Sequence, residues 1–443
     1  MKKIPSNWVV ILFTVFLLAG CSDSTFEQKP VVLTFWQVYG GQTDSPMNTL
    51  VDRFNQSVGR EKGITVNITS ISTVDDIHSS LIASVKKHPG AGKLPDLFIA
   101  YPKTILTMGA ECMVDWKDYL TEAQLKEFVP AFLAEGEIDG RQVLLPVAKS
   151  SSALYINATI FDQFSRETGI RYEDLSTWEG MFQAAKRYHQ WSGGKTFFKY
   201  DDWMHYSMIN TTALGGTFFE NKHINFQDST FKQVWGKLLA SAVSGEVSLL
   251  GGYATTAMMT GEIVCGIEST AAVLYYKDTV TFPDNTTTPL RLKIFPVPIF
   301  EGSKRVAIQR GAALAMIKST PEKERAAAVF AEWITKPENN VPFVMAAGYF
   351  PVKEVAYQNF LGKHDFQFQS ESYRELYAAI QKIHAEYEFY IPPYFEGYGE
   401  LEKAFVTAQS DLFKKYLDKI DEERLSSPTL IEDMLSELSA GME

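Results

Sequence analysis

The first third of the chain alternates between apolar runs and segments with helical spacing. The run VVLTFW at residues 31–36 is apolar throughout, which is typical of a buried strand. Ser45 can cap a helix that has Pro46 at its first position. After another amphipathic segment, the stretches ITVNITSI and LFIAY predict two further strands. This β-α-β-α-β order predicts a parallel sheet with right-handed crossovers.

The loops that follow these three strands should meet at one edge of the sheet. In open α/β sheets, ligands bind beyond the carboxyl ends of the strands. Trp36 and Tyr39 follow the first strand, the loop STVDD follows the second, and Tyr101 ends the third. The glycines after Tyr39 lack the GxGxxG spacing, and no P-loop lysine follows them. The pattern therefore favours a ligand cleft over a phosphate-binding loop.

The middle of the chain is mainly helical, with turn-rich connections. The segment VAIQRGAALAMI at residues 306–317 predicts one strand. In the segment after it, Thr320 can cap a helix that Pro321 opens. The tail from Leu401 is acidic and helical, with an interruption at Pro428.

Composition limits the class of protein. The 443 residues are 45% hydrophobic and 21% charged, which fits a soluble globular chain of two or three folding units. Aromatic residues make up 13%, more than a core needs, so some rings can serve a binding surface. The net charge of −11 makes nucleic acid an improbable partner, because an acidic chain repels phosphate backbones.

The N-terminus has the layout of an export signal. Lys2 and Lys3 precede a short apolar run that ends in LAGC, which matches the bacterial lipobox. We therefore predict a signal peptide at residues 1–20, a lipid-modified Cys21 and a polar tether at residues 21–29. The protein would be exported and anchored to a bacterial membrane, facing the periplasm or the exterior. The alternative is an ordinary signal peptide that happens to contain a cysteine.

The remaining cysteines, Cys112 and Cys265, can form one bridge at most, so a disulfide scaffold is excluded. Both lie among apolar or small residues, and we expect two buried free thiols. The 7 His are scattered without HExxH spacing, and we expect neither a metal nor a cofactor.

Three segments, taken in order, carry a resemblance to a known family. They are LLPVAKSSSALYINATIFDQF with Tyr155 and Asn157, FPVPIFEGSKRVAIQRGAALAMI with the helix after it, and AAGYFPVKEVAY with Gly348 and Pro351. In this order they resemble the extracellular solute-binding proteins of bacterial ABC importers, in the class of maltose-binding protein. The match covers most of the mature chain. In pattern, binders of glycerol phosphate, glycerophosphodiesters and sugars look closest.

The resemblance implies an α/β, two-lobed periplasmic-binding-protein fold. Each lobe would be a mainly parallel sheet flanked by helices, with the ligand cleft between the lobes. Lobe one would comprise residues 30–148 and 310–350, and lobe two residues 149–309 and 352–443. The protein would be a monomeric binding lipoprotein that delivers a sugar or a glycerol-phosphate-type polyol to ABC permease subunits.

Candidate ligand contacts follow from the cleft edge and from the positions of the family's pattern. Aromatic faces suit the C–H patches of sugars, whereas carboxylates, amides and Arg suit hydroxyl groups. Trp203 would be a stacking platform of lobe two. The full set is Trp36, Tyr39, Asp75, Asp76, Ser150, Ser151, Trp203, Ser269, Thr270, Arg310, Gly311, Tyr349, Tyr394, Glu396 and Tyr398.

One departure from the family's pattern leaves the ligand open. Glycerol-phosphate binders carry an Arg in the C-terminal loop that here reads YFEGYGE, where Phe395 lies and no Arg is present. Arg310 instead replaces a residue that is usually glycine at the second crossover. Either Arg310 is the phosphate anchor, or the ligand is an uncharged sugar.

Two other classes of protein remain as alternatives. A glycan hydrolase could use Asp201 with Asp202, or Glu396 with Glu400, as its carboxylate pair. Adjacent acids are weak support for this reading, and no G-x-S-x-G elbow is present. A lipid-anchored adhesin is the second alternative, and the aromatic residues of the predicted cleft argue against it.

Overall fold

The computed structural model describes residues 30–39, 45–249, 251–361, 368–417 and 428–442. The predicted signal peptide and Cys21 lie outside the described residues. Within the described ranges, no helix combines the length and the apolar character that crossing a membrane requires.

The strands are short and are spread along the whole chain. They are β1 (Val31–Gln37), β2 (Ile64–Ser70), β3 (Leu97–Ala100), β4 (Glu137–Ile138), β5 (Arg141–Gln142), β6 (Leu144–Leu145), β7 (Ser152–Asn157), β8 (Phe198–Tyr200), β9 (Phe219–Glu220), β10 (His223–Ile224), β11 (Val247–Ser248), β12 (Cys265–Ser269), β13 (Thr279–Thr281), β14 (Thr287–Pro289), β15 (Leu292–Pro296), β16 (Val306–Ile308), β17 (Ala313–Met316) and β18 (Glu388–Tyr390).

Helices separate most of these strands. They are α1 (Pro46–Phe54), α2 (Arg60–Lys62), α3 (Val74–Val85), α4 (Pro102–Met108), α5 (Glu122–Leu125), α6 (Pro130–Ala134), α7 (Ala158–Thr168), α8 (Trp178–Trp191), α9 (Trp203–Ala213), α10 (Ser229–Val243), α11 (Ala254–Met259), α12 (Pro321–Thr335), α13 (Pro337–Ala347), α14 (Glu354–Ala356), α15 (Glu371–Glu386), α16 (Tyr398–Leu417) and α17 (Pro428–Ala440).

Two five-stranded sheets form the two lobes of the expected fold. The first has the order β2-β1-β3-β17-β6, and the second has the order β11-β8-β12-β7-β15. In the first sheet β1 runs parallel to β2 and β3, as the alternating pattern predicts, while β17 runs antiparallel. In the second sheet β8 runs parallel to β11 and β12, while β7 runs antiparallel. The last strand of each sheet, β6 or β15, is antiparallel to that reversed strand, so four strands of each sheet share one direction and one strand, β17 or β7, opposes them.

Three chain segments cross side by side between the two sheets. Ser150 and Arg310 exchange backbone hydrogen bonds of 2.9 and 2.8 Å, which joins the first crossing to the second. Lys149 and Phe350 pair in the same way, which joins the first crossing to the third. We call residues 148–151, 309–312 and 348–352 the crossing segments. The lobe boundaries proposed from the sequence stay a prediction.

The helix starts that the sequence predicts are confirmed. The Ser45 hydroxyl accepts a hydrogen bond from the Asn48 backbone N–H at 3.2 Å, directly before α1. Thr320 caps α12 in the same way, with Pro321 at the first helical position. Local side-chain chemistry alone fixes these helix ends.

Two predictions need correction. Residues 306–317 form two strands rather than one, because the chain turns at Gly311 with a φ of +84°. β16 pairs with β18, whereas β17 enters the first sheet. Cys112 and Cys265 are both free, but only Cys265 is buried. Cys112 is exposed because it ends a short surface turn after α4.

Candidate ligand-binding cleft

Two adjoining cavities lie between the lobes. The smaller one, of about 230 Å³, is lined by Thr73, Val74, Asp75, Tyr101, Lys103, Asp202, His205, Gln309, Arg310, Pro392, Tyr394, Tyr398 and Glu402. The larger one, of about 780 Å³, extends from Asp75, His78 and Lys103 past Lys199–Trp203 and along helix α16 as far as Phe413. Asp75, Lys103, Asp202, Tyr398 and Glu402 line both cavities, so the two form one continuous cleft.

The sheet topology explains why these side chains meet. Asp75 and Lys103 lie on helices that follow β2 and β3, two parallel strands of the first sheet. Trp203 follows β8, which is parallel to β11 and β12 in the second sheet. Carboxyl ends of neighbouring parallel strands share one edge of a sheet, and ligands bind there.

Lys103 connects the two sides of the cleft. Its ammonium lies 3.1 Å from the Asp75 carboxylate and 3.4 Å from the Glu402 carboxylate. Asp75 lies on α3, which packs on the first sheet, whereas Glu402 lies on α16, which packs on α9. Burial opposes the charge of Lys103, but the two carboxylates outweigh it and raise the pKa of the ammonium. The ion pairs therefore keep Lys103 protonated and hold the cleft walls together.

Arg310 lies at the floor of the smaller cavity, on the second crossing segment. Among the described residues, its guanidinium makes no ion pair within contact distance. Burial alone would lower the pKa of the Arg310 guanidinium. The negative charge of nearby groups, first of all Asp202, has the larger effect, so the pKa is raised. Asp202 in turn is held ionised by His205 and Arg310 despite its burial, so the pKa of its carboxyl is lowered. Arg310 therefore presents a fixed positive charge whose hydrogen-bond donors are available to a ligand.

A buried polar network lies behind this floor. Lys149, with no exposed surface, donates hydrogen bonds to the Glu135 carboxylate and to the Gly311 carbonyl oxygen. The Gln309 amide donates a further bond of 3.1 Å to the same Glu135 oxygen. Burial lowers the pKa of Lys149 against the opposing field of Glu135. These contacts connect two crossing segments to a residue that follows α6.

Two carboxylates position the loop at the far wall of the larger cavity. Asp201 accepts a hydrogen bond from the Ala254 backbone N–H at 2.9 Å. Glu268 accepts bonds from the backbone N–H and hydroxyl of Thr255 and from the Tyr276 hydroxyl. Both carboxylates therefore hold the N-terminus of α11, where the backbone N–H groups favour negative charge. This fixes the preceding loop, whose glycines at 251 and 252 line the cavity.

Opposite charges nearly balance around the cleft. The five lining carboxylates are those of Asp75, Asp201, Asp202, Glu400 and Glu402. The four lining cations are Lys103, Lys199, Lys403 and Arg310. Such a surface offers many charged hydrogen-bonding groups without a strong net field.

Five residues of the predicted set line the two cavities. They are Asp75, Trp203, Arg310, Tyr394 and Tyr398. Trp203 is only 8% exposed and packs against Phe413, so little of its ring surface is open to the cavity. The role of these five residues in ligand contact stays a prediction.

The aromatic residues near the first strand lie behind the cleft. Trp36 packs within the first lobe against apolar neighbours. Tyr39 is 3% exposed, and its hydroxyl donates to the Ala312 carbonyl oxygen at 3.1 Å. Tyr349 packs edge-on against Tyr39, with ring centroids 5.3 Å apart. None of the three lines the two cavities described above, and Tyr39 alone contacts two crossing segments, through Ala312 and Tyr349.

The other predicted residues lie outside the two cavities. Asp76 accepts a bond from the Thr73 hydroxyl at the start of α3. Ser269 caps the short helical turn after β12. The remaining members lie on or near the crossing segments, on the turn after β12 or on the exposed C-terminal loop: Ser150, Ser151, Gly311, Thr270 and Glu396. None of these seven residues lines the two cavities.

Several lining residues carry no recognisable signal in the sequence. Lys103 and Glu402 are 299 positions apart, and no local pattern connects them. Tyr101 was identified only as the end of the third strand, which was the one available signal for this wall. Gln409 lies inside an amphipathic helix, where the sequence gives it the appearance of an ordinary surface residue.

A metal site is not formed within the described part of the chain. No group of three or more His, Cys, Asp or Glu side chains there is arranged to hold an ion.

Comparison with known proteins identifies relatives at the level of family and fold. A sequence profile described as bacterial extracellular solute-binding protein matches residues 49–370. Comparison with curated protein sequences gave no match.

Solved structures share the fold over nearly the whole chain. The cyclic alpha-maltosyl-1,6-maltose binding protein of Arthrobacter globiformis is 16% identical, with a TM-score of 0.68, over 93% of this chain and 98% of that chain. The substrate-binding protein Lmo0181 of Listeria monocytogenes, solved with cycloalternan, is 15% identical, with a TM-score of 0.68 over 93% and 99%. UgpB of Mycobacterium tuberculosis, solved with glycerophosphocholine, is 16% identical, with a TM-score of 0.67 over 90% and 98%. At these identities the likeness establishes the fold alone.

Proposed function

The chain belongs to the family of bacterial extracellular solute-binding proteins, and from that premise we propose that its cleft captures a neutral, hydroxyl-rich ligand such as an oligosaccharide. The two lobes close on the ligand, and the loaded protein delivers it to the permease of an ABC importer. We propose binding without chemical conversion, because the family profile that the chain matches describes solute-binding proteins.

The balance of charges in the cleft is the observation that carries this proposal. Burial raises the pKa of Asp201 to about 7, so four to five negative charges face four cations, and a phosphate group would meet nearly as much repulsion as attraction. Hydroxyl groups both donate and accept hydrogen bonds, and they can satisfy Asp75, Asp202 and Arg310 together. The structural relatives named above were solved with, or are named for, both sugars and a glycerophosphodiester, so their ligands do not decide between the two.

A glycerophosphodiester is the second candidate, and Arg310 is the observation that favours it. The guanidinium has no ion-pair partner among the described residues, and a phosphate could accept its paired N–H groups. The net charge of the cleft argues against this reading, so we place it second.

Titration calorimetry with maltotriose and with glycerophosphocholine separates the two candidates. We expect maltotriose to bind and glycerophosphocholine not to bind. Arg310→Ala should weaken maltotriose binding moderately and without strong dependence on salt. Arg325→Ala, an exposed Arg outside the cleft, is the matched control and should bind as the native protein does. Salt-sensitive binding of glycerophosphocholine that Arg310→Ala abolishes would reverse our order of candidates.

The proposed anchor at Cys21 is tested separately. The LAGC motif supports lipid modification of Cys21 after removal of residues 1–20. Cys21→Ala should move the protein from the membrane fraction to the soluble fraction of the cell envelope. Unchanged retention on the membrane would remove the anchor from the proposal and leave the binding function untouched.

A further inference from the structure

The larger cavity follows one face of helix α16. The α16 residues that line it include Gly399, Glu402, Lys403, Val406, Ser410 and Phe413, which recur at spacings of three and four. This spacing places them in a single stripe along the helix. From Gly399 to Phe413 the helix rises about 21 Å at 1.5 Å per residue. The cavity is therefore an elongated groove, and we call it the α16 compartment.

Two polar side chains in the wall of this compartment are buried without partners. Gln409 is 5% exposed, and within the described chain neither its amide nitrogen nor its amide oxygen has a hydrogen-bond partner. Tyr398 is 2% exposed, and its hydroxyl is likewise unpartnered there. Burial raises the pKa of the Tyr398 phenol, so the hydroxyl remains a donor at neutral pH. An unpartnered buried polar group is costly, and both of these residues line the cavity, where a polar group of a ligand can satisfy them.

Apolar surface lies beside these groups. Val406 is 48% exposed at the groove, although it is a large apolar side chain. The Trp203 and Phe413 rings pack with centroids 6.2 Å apart and contribute to the same wall. An uncharged amide next to aromatic and aliphatic carbon matches a sugar ring, which has hydroxyl edges and C–H faces.

The sizes of the two cavities indicate how long a ligand the cleft can hold. The smaller cavity, of about 230 Å³, is below the range of roughly 300–1,000 Å³ that is usual for ligand pockets. It has room for a compact end of a ligand, next to Arg310. The α16 compartment, of about 780 Å³, continues from it past Lys103 and Tyr398. A ligand that fills the cleft has to pass this junction.

We infer that the ligand is an extended oligosaccharide whose far end occupies the α16 compartment, with Gln409 as a residue that determines specificity for chain length. This inference rests on the proposed binding of a neutral sugar and adds where its additional units bind. Closer contact with the ligand requires the Gln409 amide to turn toward the groove, which its flexible side chain permits.

The test compares maltose, maltotriose and maltotetraose by titration calorimetry. Gln409→Leu keeps a similar side-chain volume and removes the unpartnered amide, so the melting temperature of the free variant should equal or exceed that of the native protein. The native protein should bind maltotetraose at least tenfold more tightly than maltose. In Gln409→Leu this difference should shrink to less than threefold. Gln163→Leu, an exposed glutamine on α7 outside both cavities, should keep it.

Three other outcomes would each contradict a different part of the proposal. Equal affinity of the native protein for maltose and maltotetraose would overturn the two-compartment cleft while the proposed function stands. A full tenfold preference in Gln409→Leu would overturn the role of Gln409. Failure of the native protein to bind any of the three sugars would overturn the proposed sugar class, and this inference with it.

Discussion

The Asp201 carboxylate lies at the wall of the larger cavity, near the Glu268 carboxylate on strand β12. Burial, and then the neighbouring charge of Glu268, raise its pKa from 3.8 to about 7. The folded protein therefore holds a proton on Asp201 at pH values where the unfolded chain has lost it. The ionised form costs stability, and this cost grows as the pH rises from about 4 to about 7.

Asp201→Asn should remove this cost. The Asn side-chain oxygen can still accept the Ala254 N–H bond, and the amide does not ionise. The variant should be more stable than the native protein at pH 8 by up to about 4 kcal/mol, given about 1.4 kcal/mol for each of roughly three pKa units. At pH 4 the two proteins should unfold at the same denaturant concentration. A constant difference at both pH values would show that Asp201 does not titrate as described.

At the scale of elements, the crossing segments depend on a buried ion pair and on one glycine. Lys149 and Glu135 lie in the interior, with side chains 0% and 2% exposed. Gly311 has a φ of +84°, and a Cβ atom there would lie 2.8 Å from the Ala148 carbonyl oxygen. A side chain at this position would push the first two crossing segments apart.

Lys149→Met should destabilise the protein strongly, because it leaves the Glu135 charge buried without its partner. A loss of about 3–5 kcal/mol in the free energy of unfolding is expected. Replacing both partners, as Lys149→Met with Glu135→Leu, should recover part of that loss, because no charge stays buried while the Gly311 carbonyl and the Gln309 amide each lose a partner. Chemical denaturation of the three proteins measures this. A double variant as unstable as the single one would show that the ion pair is not the cause.

In addition to the crossing segments, an ion pair between helices α4 and α16 joins the two lobes across the cleft. Glu402 of α16 pairs with Lys103 of α4, and both side chains are mostly shielded, at 28% and 18% exposed. Glu400 lines the same cavity two residues earlier but makes no ion pair within the described chain. The two glutamates therefore form a matched pair for testing the contact.

Glu402→Gln should shift the ligand-free protein toward open lobes, whereas Glu400→Gln should not. Spin labels on the native, exposed Cys112 and on a cysteine introduced at Gln233 of α10 report the distance between the lobes. Pulsed electron resonance should show a longer mean distance for Glu402→Gln alone. Equal distances in both variants would mean that the ion pair does not influence closure.

At the scale of the whole molecule, the sequence predicted what local chemistry determines. The parallel β1–β3 unit and the caps at Ser45 and Thr320 were predicted because their signals lie within a few residues. The return from one lobe to the other at residues 306–317 was not predicted from periodicity, because both strands are apolar and one glycine separates them. Only the family resemblance predicted that the chain crosses from one lobe to the other within residues 306–317.

The candidate site was accessible to sequence analysis only in part. Asp75 could be placed because its loop follows a predicted parallel strand at the cleft edge, whereas Trp203 was placed only through the family resemblance. Trp36 and Tyr39 have the same signal but pack behind the cleft, since side chains at a strand end can point to either face. The contacts of Lys103 and the isolation of Gln409 depend on packing between distant elements. No local pattern records such packing.

The central claim is that the cleft between the two lobes holds a neutral, extended carbohydrate. The most direct measurement is mass spectrometry of the compound released on denaturation from protein purified out of its natural host. The account predicts an oligosaccharide of three or more units without phosphorus, because the charges of the cleft nearly balance and the groove along α16 is long. A phosphorus-containing compound of the size of glycerophosphocholine would contradict it.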